Sequence, residues 1–303
     1  MDKRYDMQEI KLPNSFILSA DWHLRSTVPS CVEASQEEWI SIQESAVDKV
    51  IDIAIEKKSS VFVVGDIFHS DVTTSFQMIQ IIQNAAKRLG EHGLSLYVLF
   101  GNHDLKYHTS TNIIKSPLGV LMNSVNVYLL STFENVSAAN FDEEDKNCEY
   151  VFKHTLTIPK SDIPVDVINC ETPESLLEKF DKAKMVMTGD YHRNFHFEKD
   201  GRHVINPGCL TKQAADFENY QNGIYYINLE ENIIEWCPVN IEQKFNHNGY
   251  EKKALDQTIE NFVEGIKAED VTLDYVSSLC NEAKNHDRGI QDKINDWIGR
   301  SGN

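Results

Sequence analysis

The chain has no apolar run near the roughly 20 residues that a membrane-spanning helix needs. Its opening stretch, MDKRYDMQEIKLPNSF, is charged throughout and lacks the apolar middle of a signal peptide. No membrane span is therefore expected, and a cytoplasmic location is. No C-x-x-C pair occurs either. The six cysteines (Cys31, Cys148, Cys170, Cys209, Cys237 and Cys280) lie far apart, which argues against a zinc ribbon or a redox motif and suits reduced thiols. Positive charge is scarce, with 29 Lys and Arg against 47 Asp and Glu, for a formal net charge of −18. An acidic surface repels nucleic acid at long range. That weighs against a free-standing duplex-binding module, so a nucleic-acid substrate would call for a local basic patch, bound metal or a partner. Internal repeats and low-complexity segments are missing as well.

What is present describes a soluble globular protein. Apolar residues make up 41% and charged residues 25% of the 303 positions, enough to bury a large core. The first half alternates strands and helices. SFILSADWHL, VFVVGD and LSLYVLFGNHD are near-continuous apolar runs, as expected when helices cover a sheet. Between them, residues 36–57 carry Trp39, Ile42, Ala46, Val47, Val50, Ile51 and Ala54 on one helical face. Residues 75–89 place Phe76, Ile79, Ile82, Ala86 and Leu89 inward in the same way. The second half reads as short strands: EYVFKHTLTI, VDVINC, KMVMTGD, RHVINPG and a hairpin over GIYYINLEENIIEWCPV. Residues 139–149, ANFDEEDKNCE, read as an exposed acidic loop. After the linker EQKFNHNGYEKK, apolar residues recur at helical spacing three times, around Ile259, Tyr275 and Ile294. These predict a small helical module over 246–303 after a main domain over 1–245.

Several strands end in groups able to bind metal. Asp21 and His23 close the first, and alternation along an extended chain points them to one side. Asp66 closes the second, and Asn102, His103 and Asp104 close the third; His154 lies within a later strand, and Asp190 and His192 follow another. Carboxyl ends of strands in an open α/β sheet share a crevice, so these groups can converge. Each has a plainer alternative: a Gly-Asp turn, a helix-capping His103, a satisfied buried His154. Their joint occurrence in order favours metal. A mixed oxygen and nitrogen set without thiolates suits two divalent ions about 3.5–4 Å apart, with manganese, iron or magnesium preferred to structural zinc. His69, His108, His196 and His203 are expected to be surface or supporting residues.

The succession D-x-H, G-D, G-N-H-D, a lone His and G-x-x-H resembles the calcineurin-like metallophosphoesterase superfamily over roughly residues 14–240. Within it, SADWHLR, VVGDIFH, LFGNHDL, VFKHTLTIP and TGDYHRNF…GRHVINPGCLTKQ resemble SbcD-type DNA-repair nucleases, including bacteriophage versions. The resemblance implies an α/β fold, a two-sheet β-sandwich flanked by helices. It implies that Asp21, His23 and His192 bind one ion, Asp66 bridges, and Asn102, His154 and Asp190 bind the second. His103 is implied as the catalytic group beside the scissile phosphate, oriented by Asp104. Arg25 and Arg193, next to these ligands, are candidate phosphate contacts, with exposed solvated arginines the equal alternative. The implied function is a two-metal, manganese-dependent DNA exo- or endonuclease, in which a bridging hydroxide attacks the phosphodiester while His103 assists the leaving oxygen. An SbcC-type ATPase subunit is the implied partner, and the C-terminal helices would dock it, cap the site or form a homodimer. The alternatives are a phosphatase or cyclic-nucleotide phosphodiesterase on the same scaffold, or a weakly active assembly subunit. The chain departs from the superfamily at Asp190, where Gly-His-x-His is usual, and at Cys209, where Ser is common. Cys170 is a rival to His154 as ligand.

Overall fold

The structure is a computed structural model that describes residues 12–70, 74–105, 116–141, 143–163 and 170–246. The helical module expected over 246–303 therefore lies, but for Asn246, outside the described residues, as do most of the VDVINC strand and His108.

The first strands arise from the apolar runs. β1 (Ser15–Ser19), β2 (Ser60–Val64), β3 (Leu96–Leu99) and β4 (Val127–Leu129) pair in parallel in that order. β10 (Gly223–Asn228) and β11 (Ile233–Pro238) form an antiparallel hairpin that adds to the free edge of β1. The second sheet runs β5 (Val136–Ala139), β6 (Tyr150–His154), β7 (Met185–Gly189), β9 (Arg202–Asn206) and β8 (Phe195–Lys199), all parallel except β8.

Alternation along these strands builds three layers of core. Ile17, Val61, Val63, Leu96 and Val98 face α1 (Gln36–Glu56) and α2 (Phe76–Glu91). Phe16, Leu18, Phe62, Val64 and Leu99 face the other way, against Val136, Phe152, Met185, Met187 and Ile205 of the second sheet. Val151, Val186 and Val204 pack beneath α4 (Pro173–Lys179) on the far side. Both faces of the central strands are buried, which is why their sequences are continuous rather than alternating. The architecture is the two-sheet sandwich flanked by helices. Among the described residues no helix is long and apolar enough to cross a membrane.

Two helix faces differ from the periodicity. In α1, Gln43 is fully buried while Ile42 is only half-buried. In α2 the buried stripe is Met78, Ile81, Ile82, Ala85, Ala86 and Leu89, and Phe76 is 90% exposed. The i, i+3, i+4 stripe is rotated relative to the expected one, because Phe76 opens the helix directly after its N-cap and faces outward.

The layer between the sheets ends at the functional groups. Tyr150, Phe152 and His154 share the inner face of β6, so the strand carries core and site side chains together. Phe152 is fully buried, its ring 5.6 Å from Phe62 and 6.0 Å from Phe16. Phe152→Ala is expected to cost about 3–5 kcal/mol of stability, read as a lower chemical-denaturation midpoint. A change under about 1 kcal/mol would mean that the sheets do not pack as described.

Candidate metal centre

Five strand ends bring the site together. Asp21 and His23 follow β1, Asp66 follows β2, Asn102 to Asp104 follow β3, His154 ends β6, and Asp190 and His192 follow β7. The register pairs His154 with Gly189, which brings Asp190 beside β6. Beyond β1 the chain keeps contact with β2's extension through Asp21 N–H to Gly65 O (3.1 Å), His23 N–H to Asp66 O (2.9 Å) and Leu24 N–H to Ile67 O (2.8 Å). Asp21, His23, Asp66 and Asp190 all adopt positive φ, at 51°, 45°, 53° and 83°. Such a backbone costs on the order of 1–3 kcal/mol at a non-glycine residue and persists where its surroundings enforce it. Two glycines allow the close approach. A Cβ on Gly65 (φ 83°) would lie 2.1 Å from His154 Nδ1, and one on Gly101 would lie 2.1 Å from Asp66 Oδ1.

The carboxylates are held in different ways. Asp21 accepts the Asp190 backbone N–H on both oxygens, at 3.1 and 3.0 Å. Burial pushes its carboxyl well above the ordinary range, and Asp66 and Asp190 add to this against the opposing His154. Asp66 accepts the His103 backbone N–H on Oδ1 at 2.9 Å. Its Oδ2 is buried with no hydrogen-bond partner, 3.5 Å from His23 Nε2 and 3.3 Å from His154 Nε2. Burial works against its charge, but His154, His23 and His103 outweigh it and hold the carboxyl below the ordinary range. Asp104, fully buried, accepts backbone N–H groups from Ile67 (3.2 Å), Phe68 (2.9 Å) and Gly101 (3.1 Å). Burial and then Asp66 raise it to about 7 against those three donors.

The imidazoles are oriented by the backbone. His154 Nδ1 donates to Val64 O at 2.8 Å, which turns Nε2 toward Asp66 and toward Asn102 Oδ1 at 3.1 Å. Burial opposes its protonation, but Asp66 outweighs that and holds the ring well above its ordinary value. A cation in the same place would replace that proton. His23 Nε2 and His192 Nε2 lie 3.0 Å apart, and burial lowers both rings, His192 to about 4. Two imidazole nitrogens at right angles on one octahedral ion sit about 3 Å apart, given metal–nitrogen bonds near 2.1 Å. Asp21, His23 and His192 form one set of donors mutually within 4.8 Å, and Asp21, Asp66 and His154 form another. The partnerless Asp66 oxygen between ring nitrogens of both sets fits a pair of divalent ions. Asp21, His23 and His192 would hold one ion and His154 with Asn102 the other, with Asp66 shared.

Other expected residues fall differently. Asp104 does not touch the His103 ring. His103 Nδ1 donates instead to the His69 carbonyl at 2.9 Å, and the Asp104 carboxylate is committed to backbone N–H groups that only an acceptor at that position can satisfy. Asp190 is in none of the donor sets, and neither is Cys170. What Asp190 supplies to the cluster is its N–H. Arg193 is exposed, paired with Asp216 at 3.2 Å and 5.4 Å from the Phe217 ring. Arg25 is half-buried and donates to His69 Nε2 at 2.8 Å and to Thr27 O at 2.8 Å.

Three further residues support the site: His69, one of the histidines expected to be surface or supporting, and Gln43 and Gln213, which were not expected there. His69 joins His23 and His103 in a third set of donors, its ring stacked on His103 at 5.5 Å. Burial and then the Arg25 guanidinium lower it to about 3. Gln43 clamps the Arg25 backbone from α1, accepting its N–H (2.9 Å) and donating to its carbonyl (2.8 Å). Gln213 donates to the His23 carbonyl at 3.0 Å. A glutamine inside the apolar stripe of α1 was the one available signal, since a buried amide must find partners.

The separate roles of Asp104 and His103 are measurable in metal-free protein. Asp104→Ala leaves three buried N–H groups without an acceptor and is expected to cost about 3 kcal/mol or more. His103→Ala should cost about 1 kcal/mol, the worth of one hydrogen bond. Equal denaturation midpoints for the two variants would contradict this division.

Residues 15–209 match the family model for calcineurin-like phosphoesterases. Solved structures similar to this chain include a Thermus thermophilus protein, 11% identical with a TM-score of 0.45, covering 75% of this chain and 99% of that one. An archaeal phosphodiesterase is 14% identical with a TM-score of 0.39, covering 74% and 99% of the two chains. A dimetal phosphatase from Danio rerio is 12% identical with a TM-score of 0.47, covering 76% and 98%. No curated protein matches the chain. The family model spans more than half of the sequence and includes every strand end that builds the cluster, so the chain belongs to the calcineurin-like phosphoesterase family, whose members hydrolyse phosphoesters.

Proposed function

We propose that the chain is a two-metal phosphodiesterase that cleaves DNA, of the SbcD type. The observation that carries the chemistry is the Asp66 carboxylate, with one oxygen fixed by the His103 N–H and the other presented, without a partner, between His23 and His154. DNA as substrate rests on the motifs SADWHLR, VVGDIFH and LFGNHDL and on the turn after β9, Asn-Pro-Gly-Cys-Leu. Two divalent ions held by this set, with manganese suited to its oxygen and imidazole donors, would neutralise phosphate oxygens and bring a water's pKa toward neutrality.

The chain's own residues supply the rest. His103 has its Nδ1–H fixed on the His69 carbonyl, so Nε2 is the atom that exchanges a proton with the departing 3′ oxygen. His69 stacks on that ring and, through Arg25, brings a guanidinium into the same cluster. Arg25 and Arg193 are the cations closest in sequence to ligands, and they contact phosphate when substrate displaces their present partners. Asp190 adds a third carboxylate beside Asp21 and Asp66, leaving a net of about +1 with two divalent ions and favouring hard cations. An SbcC-type ATPase supplies the positive surface that a chain of net charge −18 lacks. The same net charge favours a second possibility, a phosphatase or cyclic-nucleotide phosphodiesterase that handles small substrates without a partner.

Purified protein with manganese, tested on labelled duplex and single-stranded DNA and on a small aryl phosphomonoester, separates the two. DNA cleavage that chelator abolishes, and that Asp66→Ala and His103→Ala each reduce by about 10²–10⁴, is the expected result. Undiminished cleavage by either variant would contradict the mechanism, and turnover of the aryl ester alone would assign the small-substrate activity. Asp190→His should keep activity and move the pH–rate profile to lower pH, because removing a negative charge lets neighbouring groups lose protons sooner. A superimposable profile would leave Asp190 with its backbone role alone.

A further inference from the structure

Away from the strand ends that form the centre, β8 and β9 bring a second pair of imidazoles together. The two strands form an antiparallel ribbon in which Glu198 lies directly opposite His203 and His196 opposite Ile205. Side chains alternate along a strand, so His196 and Glu198, two residues apart, share the face that also carries His203. On that face His196 Nε2 lies 3.0 Å from His203 Nδ1, the rings 5.2 Å apart at 43°. The Tyr225 ring stands edge-on to His196 at 6.3 Å and flanks the pair. His196 is exposed and His203 half-buried, so water and ions reach both.

We propose that His196 and His203, with the Glu198 carboxylate swung in from the same strand face, form a binding site for one borderline transition cation of the zinc, nickel or copper class, distinct from the phosphoesterase centre. Two imidazole nitrogens on one tetrahedral zinc, with bonds of about 2.0–2.1 Å, are separated by about 3.3 Å. The 3.0 Å between His196 and His203 needs only a few tenths of an ångström of rotamer adjustment to reach it. The donor chemistry sets the selectivity. Two imidazoles and a single carboxylate suit zinc, nickel or copper, whereas manganese and magnesium prefer oxygen-rich sets. Burial lowers His196 from its ordinary value, and Glu198 opposes that only in part. His203 lowers it further, and both burial and His203 favour the unprotonated ring, the form that ligates. An ion here would staple β8 to β9 across the hairpin turn. β8 begins three residues after His192, so the staple would stiffen the strand into which that ligand loop runs.

Equilibrium dialysis against zinc, with the wild-type chain and the His196→Ala/His203→Ala variant side by side, tests this. Wild type is expected to hold one more zinc per chain than the variant. That difference does not depend on how many ions the phosphoesterase centre takes, and it should persist when both proteins also carry Asp66→Asn. Glu198→Gln should retain the extra ion with a dissociation constant raised about tenfold or more. If the double variant does not fold, His196→Gln, at an exposed position, serves in its place with the same expected loss. Equal zinc content in wild type and variant would overturn the proposal, as would an extra ion whose affinity Glu198→Gln leaves unchanged.

Discussion

Asp21, Asp66 and Asp104 lie within a few ångströms of the same strand ends and are all out of contact with water. Burying even one carboxylate costs several kcal/mol unless something answers its charge. Asp104 is answered by three backbone N–H groups and Asp21 by the N–H of Asp190. Asp66 is answered on one oxygen only. That asymmetry is the constraint from which the rest of the site follows. One oxygen is fixed, and the other faces two imidazole nitrogens that face it in turn, an arrangement that asks for positive charge between them.

The surrounding fold positions this arrangement. The inter-sheet core of Phe16, Phe62 and Phe152 sets the distance between β2 and β6, and His154 lies on the same face as Phe152. Missing Cβ atoms at Gly65 and Gly101 let the strand ends approach within contact of Asp66 and His154. Gln43 from α1 and Gln213 from the loop after β9 grip the 23–25 backbone from two directions, so the left-handed conformation of His23 is braced by elements far apart in sequence. Backbone strain at four positions of the cluster is thus offset by hydrogen bonds and packing around it.

The strands β1, β2, β3, β6, β7 and β9 and the long helices were legible because apolar runs and helical stripes report burial, and each of these elements buries a face or most of its length. β4 and α3 (Pro117–Leu121) carry too few residues for a pattern, β5 (VSAA) lacks large apolar side chains, and β8, though as long as β7, is mostly exposed and has no apolar run. At the site, the side chains that the fold gathers, Asp21, His23, Asp66, His154 and His192, were legible, since few side-chain types bind metal and these sit at strand ends. The hydrogen bonds that support them were not. His69, Gln43 and Gln213 act through partners 18 to 190 residues away, which local sequence does not encode. The adjacency of His103 and Asp104 suggested a direct pair. Neighbouring residues past a strand end point in different directions, so Asp104 turned inward to the backbone and His103 found the His69 carbonyl instead.

The central claim is that Asp66 stands between two cations. Crystals grown with manganese and measured near its absorption edge test this directly, because anomalous scattering locates the ions independently of the protein coordinates. The account predicts two peaks per chain about 3.5–4 Å apart. One should lie against Asp21, His23 and His192 and the other against His154 and Asn102, with Asp66 Oδ2 between them. A single peak, or two peaks with Asp66 on neither, would contradict it.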